Sequence, residues 1–121
     1  MNTEDYVSLE VAKLLKEKGY CWPCGSFYTL EGIIGFRSID DNFNRLTAYS
    51  RPALYEAQKW LREKYNIHLC IKILRFYKPT QRADYICDIL SLNTRQFKET
   101  RIYNSYEEAL NAGVFEALNL I

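Results

Sequence analysis

The residues of this chain with reactive side chains are four cysteines, one histidine and a few closely spaced carboxylates. Cys21-Trp22-Pro23-Cys24 forms a C-x-x-C, a spacing that serves either thiol–disulfide exchange or metal ligation. Exchange needs the first sulfur at a helix N-terminus, where the helix dipole favours the thiolate. Here the pair follows a predicted helix and precedes a strand-like stretch, so that context is reversed. A structural zinc needs four ligands. Cys70, Cys87 and His68 are the other donors, and none of them forms a second paired knuckle. Cys21 and Cys24 are therefore read as structural thiols in a turn, and they are also the candidates for a metal or redox role. No cofactor is expected.

Asp40-Asp41-Asn42-Phe43-Asn44 places oxygen donors at alternate positions, as the start of a calcium loop does. The sixth position of such a loop needs glycine and the twelfth glutamate. Arg45 and Arg51 stand there instead. His68 alternates with apolar residues on a predicted strand and has no serine or acidic orienter near it in sequence, which suits a structural residue better than a general base. Asp84 and Asp88 fall on one face of a predicted strand, where carboxylates are commonly just solvated. The chain has no nucleophile elbow, phosphate-cradling glycine loop or H-E-x-x-H. These absences predict a protein that is not an enzyme.

The elements that would position these residues follow from periodicity. Val7, Val11, Leu14 and Leu15 fall at helical spacing, which predicts a first helix from Ser8 to Lys18 stopped by Gly19. Phe27 to Leu30 reads as a short strand, Glu31-Gly32 as a turn, and Ile33 to Arg37 as a strand pairing back. Ser38 to Asn44 reads as a polar loop and Arg45 to Tyr49 as a short strand. Ser50 is the expected N-cap of a second helix, with Pro52 in its first turn and Leu54, Ala57, Leu61 and Tyr65 on its apolar face. Ile67, Leu69, Ile71 and Ile73 alternate with His68, Cys70 and Lys72, and Ile67 to Tyr77 reads as a strand. Ala83 to Leu92 and Phe97 to Tyr103 follow after short turns, so the three form an antiparallel meander. Ser105 and Glu108 make a capping box for a last helix, whose wide apolar face leaves Phe115 off to one side. The expected fold class is α+β, with three main helices packed on an antiparallel sheet. The 121 residues are expected to form a single domain, 1–121.

Sixteen basic residues face 15 acidic ones, for a net charge of +1, and both signs are interspersed. A phosphate-binding surface needs a basic excess or stripe, so nucleic acid is not the expected partner. No apolar run spans a membrane, and the N-terminus is acidic and polar rather than signal-like. A cytoplasmic setting with reduced cysteines is expected. Ten tyrosines are a surplus, and tyrosine suits rims and contact surfaces.

Two resemblances add to this. Val7-Ser8-Leu9-Glu10-Val11-Ala12-Lys13-Leu14-Leu15 resembles the opening helix of excisionase-type winged helix-turn-helix proteins, although a non-helical segment follows where that family has its recognition helix. Asp5 to Ser8, Ala12 to Tyr20, Tyr49 to Pro52, Ala57 to Glu63 and Ser105 to Ala109 together resemble a group of small uncharacterised proteins encoded in prophages and mobile elements of gut bacteria. That resemblance implies a phage or mobile-element origin and a host-cytoplasmic setting, and it carries no catalytic motif. The leading expectation is a non-enzymatic accessory protein acting through protein–protein contact or self-association, as a homodimer, with Trp60, Arg62, Phe115 and Tyr55 as contact residues. The alternatives are a DNA-binding regulator of a mobile element, and a small thiol-redox or metal-binding protein using Cys21 and Cys24.

Overall fold

The computed structural model describes residues 2–121 and divides the chain into two compact units, Met1–Ala57 and Gln58–Ile121. The fold is α+β: three α-helices and two antiparallel three-stranded sheets.

In the first unit a single 3-10 turn, Thr3–Asp5, leads to helix α1, Leu9–Glu17. The Ser8 hydroxyl accepts from the Val11 amide at 3.3 Å and so caps the helix. Gly19, at φ +89°, ends it in the left-handed conformation that glycine adopts without strain. Val11, Ala12 and Leu15 are buried at the spacing the sequence shows. Strands β1 (Cys24–Tyr28) and β2 (Ile34–Asp41) pair antiparallel around Gly32, at φ +87°, and β3 (Tyr49–Ser50) lies on the other side of β1. Phe27 stacks 4.8 Å from the buried Phe43, which sits in a short 3-10 turn, Phe43–Arg45.

Two sequence expectations are corrected here. Ser38 to Asp41 is strand rather than loop, because β2 continues along β1 past a bulge to the Cys24–Asp41 pair. An exposed edge strand tolerates polar residues that would suggest a loop if read locally. Ser50 is not an N-cap. It is buried in β3, and helix α2 begins four residues later, at Leu54–Tyr65. The Arg51 amide donates to Ser26 O at 2.9 Å and the Val7 amide to Pro52 O at 3.1 Å, so residues 51 and 52 are held as extended chain. Proline independently favours an extended residue before it. The helix start is closed instead by Glu56, whose carboxylate accepts from the Ala53 amide at 3.1 Å.

In the second unit β4 (Ile67–Tyr77), β5 (Arg82–Ser91) and β6 (Gln96–Glu99) form a meander in the order β4-β5-β6, followed by helix α3, Tyr106–Leu118. Strand β4 has the predicted bounds. Ile67, Leu69, Cys87 and Ile89 face α3, whose Ala109, Leu110, Gly113, Val114, Ala117 and Leu118 are buried. The Ser105 hydroxyl accepts from the Glu108 amide at 3.1 Å and caps α3. Strand β6 is shorter than predicted because Thr100 turns inward. Its amide donates to Cys87 O and its hydroxyl accepts from the Cys87 amide, both at 2.9 Å. Pairing resumes only at the Tyr85–Tyr103 bridge.

Candidate functional site

Two features stand apart from ordinary packing. The first is the far half of the β4–β5 hairpin. Strand β4 is paired with β5 on one side only, and every residue from Lys72 to Arg82 is exposed. Four large apolar side chains lie there in water: Ile73 at 63%, Leu74 at 47%, Phe76 at 62% and Tyr77 at 43% exposure. A one-residue irregularity between Ile73 and Arg75 bends the strand. The outer face of the sheet is polar near its middle, where Lys72 bridges Asp88 at 3.0 Å and Glu99 at 3.6 Å. The Asp88 carboxylate raises the Lys72 pKa. Asp84 accepts from the Tyr77 hydroxyl at 3.2 Å. Asp88 Oδ2 is thus taken up by an ion pair while its buried Oδ1 has no partner, and Asp84 holds a surface hydrogen bond.

The second feature is Arg51. It is 1% exposed, although it carries a full charge. Tyr6 is brought over it by the antiparallel Tyr6–Ala53 bridge, and the Tyr6 ring centroid lies 4.0 Å from the guanidinium carbon. The Tyr28 and Phe36 rings lie 5.5 and 5.7 Å away, from β1 and β2. The Tyr28 hydroxyl is fixed by donating to Val7 O at 2.7 Å. Arg51 Nη1 donates to Ser26 Oγ at 3.1 Å, and that hydroxyl donates onward to Gly35 O at 3.0 Å. Arg51 Nε is buried and has no acceptor. Among the described residues no carboxylate lies within ion-pairing distance of Arg51. A cleft of about 250 Å³ opens beside it, with Gly25, Asp40, Tyr55 and Glu56 on its walls. The cleft sits at the N-terminal end of α2.

The residues singled out from sequence fall in several places. Trp60 is 1% exposed and belongs to the core, its ring edge-on to Tyr65 at 5.4 Å, so it presents no contact surface. It shares a face with Ala57, three residues earlier, and the buried arc of α2 is wider than the leucine stripe suggests. Tyr55, 61% exposed, stands on the wall of the Arg51 cleft. Arg62 is exposed on α2 and Phe115 half-buried on α3. His68 Nε2 is 2.8 Å from Asn66 Oδ1, a structural bond at the start of β4. Asp41 pairs with Arg45 at 3.0 Å, and that arginine holds its carboxyl below the usual range. Helix α1 is followed by β1 and not by a second helix, so a helix-turn-helix is not formed.

All four thiols are free. Cys21 is exposed, while Cys24 opens β1 and is buried. Burial pushes the Cys24 thiol up, and it pushes the Cys87 thiol up to about 12. A raised pKa is the opposite of what redox exchange needs. Among the described residues no cluster of three or more His, Cys, Asp or Glu side chains could hold a metal ion. Alkylation of the native protein at about pH 8 is expected to modify Cys21 and Cys70 quickly, with Cys24 and Cys87 reacting only after unfolding. Mass spectrometry of timed samples reads this directly, and fast labelling of Cys87 would contradict its burial. Folded Cys87 keeps its proton above the ordinary thiol range, so its contribution to stability is full below about pH 9 and falls as pH rises from there toward about 12.

The signal for Arg51 was present in the sequence as an arginine followed by proline between an aromatic strand and a helix. Nothing in that local pattern distinguishes a buried arginine from a solvated one. No family model, curated protein or solved structure matches the chain.

Proposed function

We propose that this chain is a non-enzymatic accessory protein that works by protein–protein contact, and that the contact is self-association through the far half of the β4–β5 hairpin. The observation that carries the reading is the group Ile73, Leu74, Phe76 and Tyr77, exposed together on a strand with an unpaired edge. An apolar edge strand is a template for another strand, and natural proteins usually blunt it with charge, proline or a cover. Here Arg75, Lys78, Pro79 and Arg82 supply charge and a proline near the tip, but the stripe of Ile73 and Phe76, which share one face of the hairpin, stays uncovered. A second copy presents the same stripe, so a two-fold contact places apolar side chains against each other and backbone donors against acceptors. The phage or mobile-element origin implied by the sequence resemblance is compatible with such an accessory role. Among the described residues no helix is long and apolar enough to cross a membrane.

Sedimentation or light scattering over a concentration series tests the proposal. The wild type is expected to dimerise in the micromolar range, and Ile73→Lys with Phe76→Lys to remain monomeric with unchanged folding. A wild type that stays monomeric at several hundred micromolar defeats it, as does a double variant that dimerises as well as the parent.

A further inference from the structure

We infer that the Arg51 cleft binds a small zwitterion of the α-amino-acid type, its carboxylate on Arg51 and its ammonium toward Asp40 and Glu56. The inference is independent of self-association, because it concerns a different part of the chain. Its basis is a buried charge without a counter-ion. Taking an arginine out of water costs several kcal/mol unless it is paired. The aromatic rings of Tyr6, Tyr28 and Phe36 offset part of that cost, but ring faces do not satisfy N–H donors. A guanidinium has five donors, and Ser26 Oγ accepts from Nη1, while Nε has no acceptor at all. Nε itself is sealed by protein, but the guanidinium as a whole lacks an anion, and a ligand carboxylate in the adjoining cleft would supply one.

The surroundings say what the ligand carries. The guanidinium fork matches a carboxylate in two-pronged geometry. The N-terminal end of α2 lies at the same cleft and favours negative charge there. Two carboxylates, Asp40 and Glu56, line the same space. A bare polyanion such as phosphate would meet both of them, whereas a molecule with a positive group beside its carboxylate satisfies all three. Glu56 uses Oε1 to close the helix start and keeps its other oxygen, and Asp40 stands on the exposed strand β2. Gly25 lets the Asp40 carboxylate lie close against β1. A Cβ there would sit 3.1 Å from Asp40 Oδ1. The volume, about 250 Å³, is below the roughly 300–1,000 Å³ of clefts that take drug-sized ligands, so the ligand is small.

The test is titration of the full chain, followed by NMR, with a panel of the common amino acids at millimolar concentration. The same amino acids with the carboxylate amidated, the same with the amine acetylated, and inorganic phosphate are run in parallel. At least one free amino acid is expected to shift the Gly25, Ser26 and Arg51 resonances saturably, and the blocked forms and phosphate to leave them unmoved. No shift with any free amino acid overturns the proposal. So does an acetylated or amidated form that binds as well as its parent, or a response to phosphate alone. Asp40→Asn separates binding from folding, since Asp40 is exposed. It is expected to weaken the amino acid about tenfold, the equivalent of one modest charge pair, with the melting temperature unchanged. Unchanged affinity in that variant also overturns the proposal.

Discussion

Replacing Gly113 with alanine is expected to destabilise the second unit by about 2 kcal/mol, although the same change in an exposed helix stabilises by up to about 1 kcal/mol. Gly113 lies in the middle of α3, on its buried face. A Cβ built on it would lie 2.3 Å from Cys87 Sγ and 3.1 Å from Cys87 Cβ, with Leu69 Cδ2 at 3.8 Å. The helix rests on β5 at this point with no room for a methyl group. Cys87 cannot swing away, because its backbone is fixed on both sides. Its amide donates to Thr100 Oγ1, and its carbonyl accepts from the Thr100 amide. Either α3 lifts from the sheet or the thiol leaves its rotamer, and overpacking of this kind costs about 1–3 kcal/mol beyond the propensity gain it cancels. Urea unfolding checks the value. Cys87→Ala in the Gly113→Ala background removes the sulfur and is expected to recover more than half of the loss, a coupling that two independent sites would not show. A Gly113→Ala protein as stable as the parent would mean that α3 does not approach β5 so closely.

Arg51→Ala is expected to cost about 3 kcal/mol, while Arg51→Met costs less than about 1 kcal/mol or stabilises. Alanine removes the stem that fills the space beneath Tyr6, Tyr28 and Phe36, and it takes the donor from Ser26 Oγ. Both variants lose the cation–π contacts and relieve the buried charge alike, so the difference between them, about 2 kcal/mol, is the packing of the stem. Methionine restores most of the stem and relieves the burial of an unpaired charge. Fluorescence of Trp22, which packs 6.1 Å from Tyr20 in the same unit, reports the unfolding. If methionine proves as costly as alanine, the charge itself holds this unit together. If methionine is tolerated, the charge is retained at a stability disadvantage, as at functional sites generally.

The most regular elements were legible because their signals are local. Ser8 and Gly19 bound α1, the alternation from Ile67 to Ile73 marks β4, and Ser105 opens α3. Each rests on a side chain acting on backbone within four residues, or on a period that one buried face imposes. The misread segments were decided by partners distant in sequence. Ser50 has the chemistry of an N-cap, but Ser26, on the neighbouring strand, takes the next residue's amide. Ser38 to Asp41 is polar enough for a loop, and β1 makes it a strand. Trp60 looked like an edge residue and is core.

The sequence by itself determined the α+β class, the C-terminal meander with its closing helix, and a chain whose ordinary catalytic motifs are absent. Periodicity and capping are short-range, so they survive without coordinates. Only the tertiary structure decided that Arg51 is buried among three aromatic rings, that the far half of the β4–β5 hairpin leaves its apolar stripe in water, and that Gly113 bears on Cys87. Burial and unmet hydrogen bonds are properties of what surrounds a side chain, and those surroundings come from segments up to about 45 residues away along the chain, as Tyr6 is from Arg51.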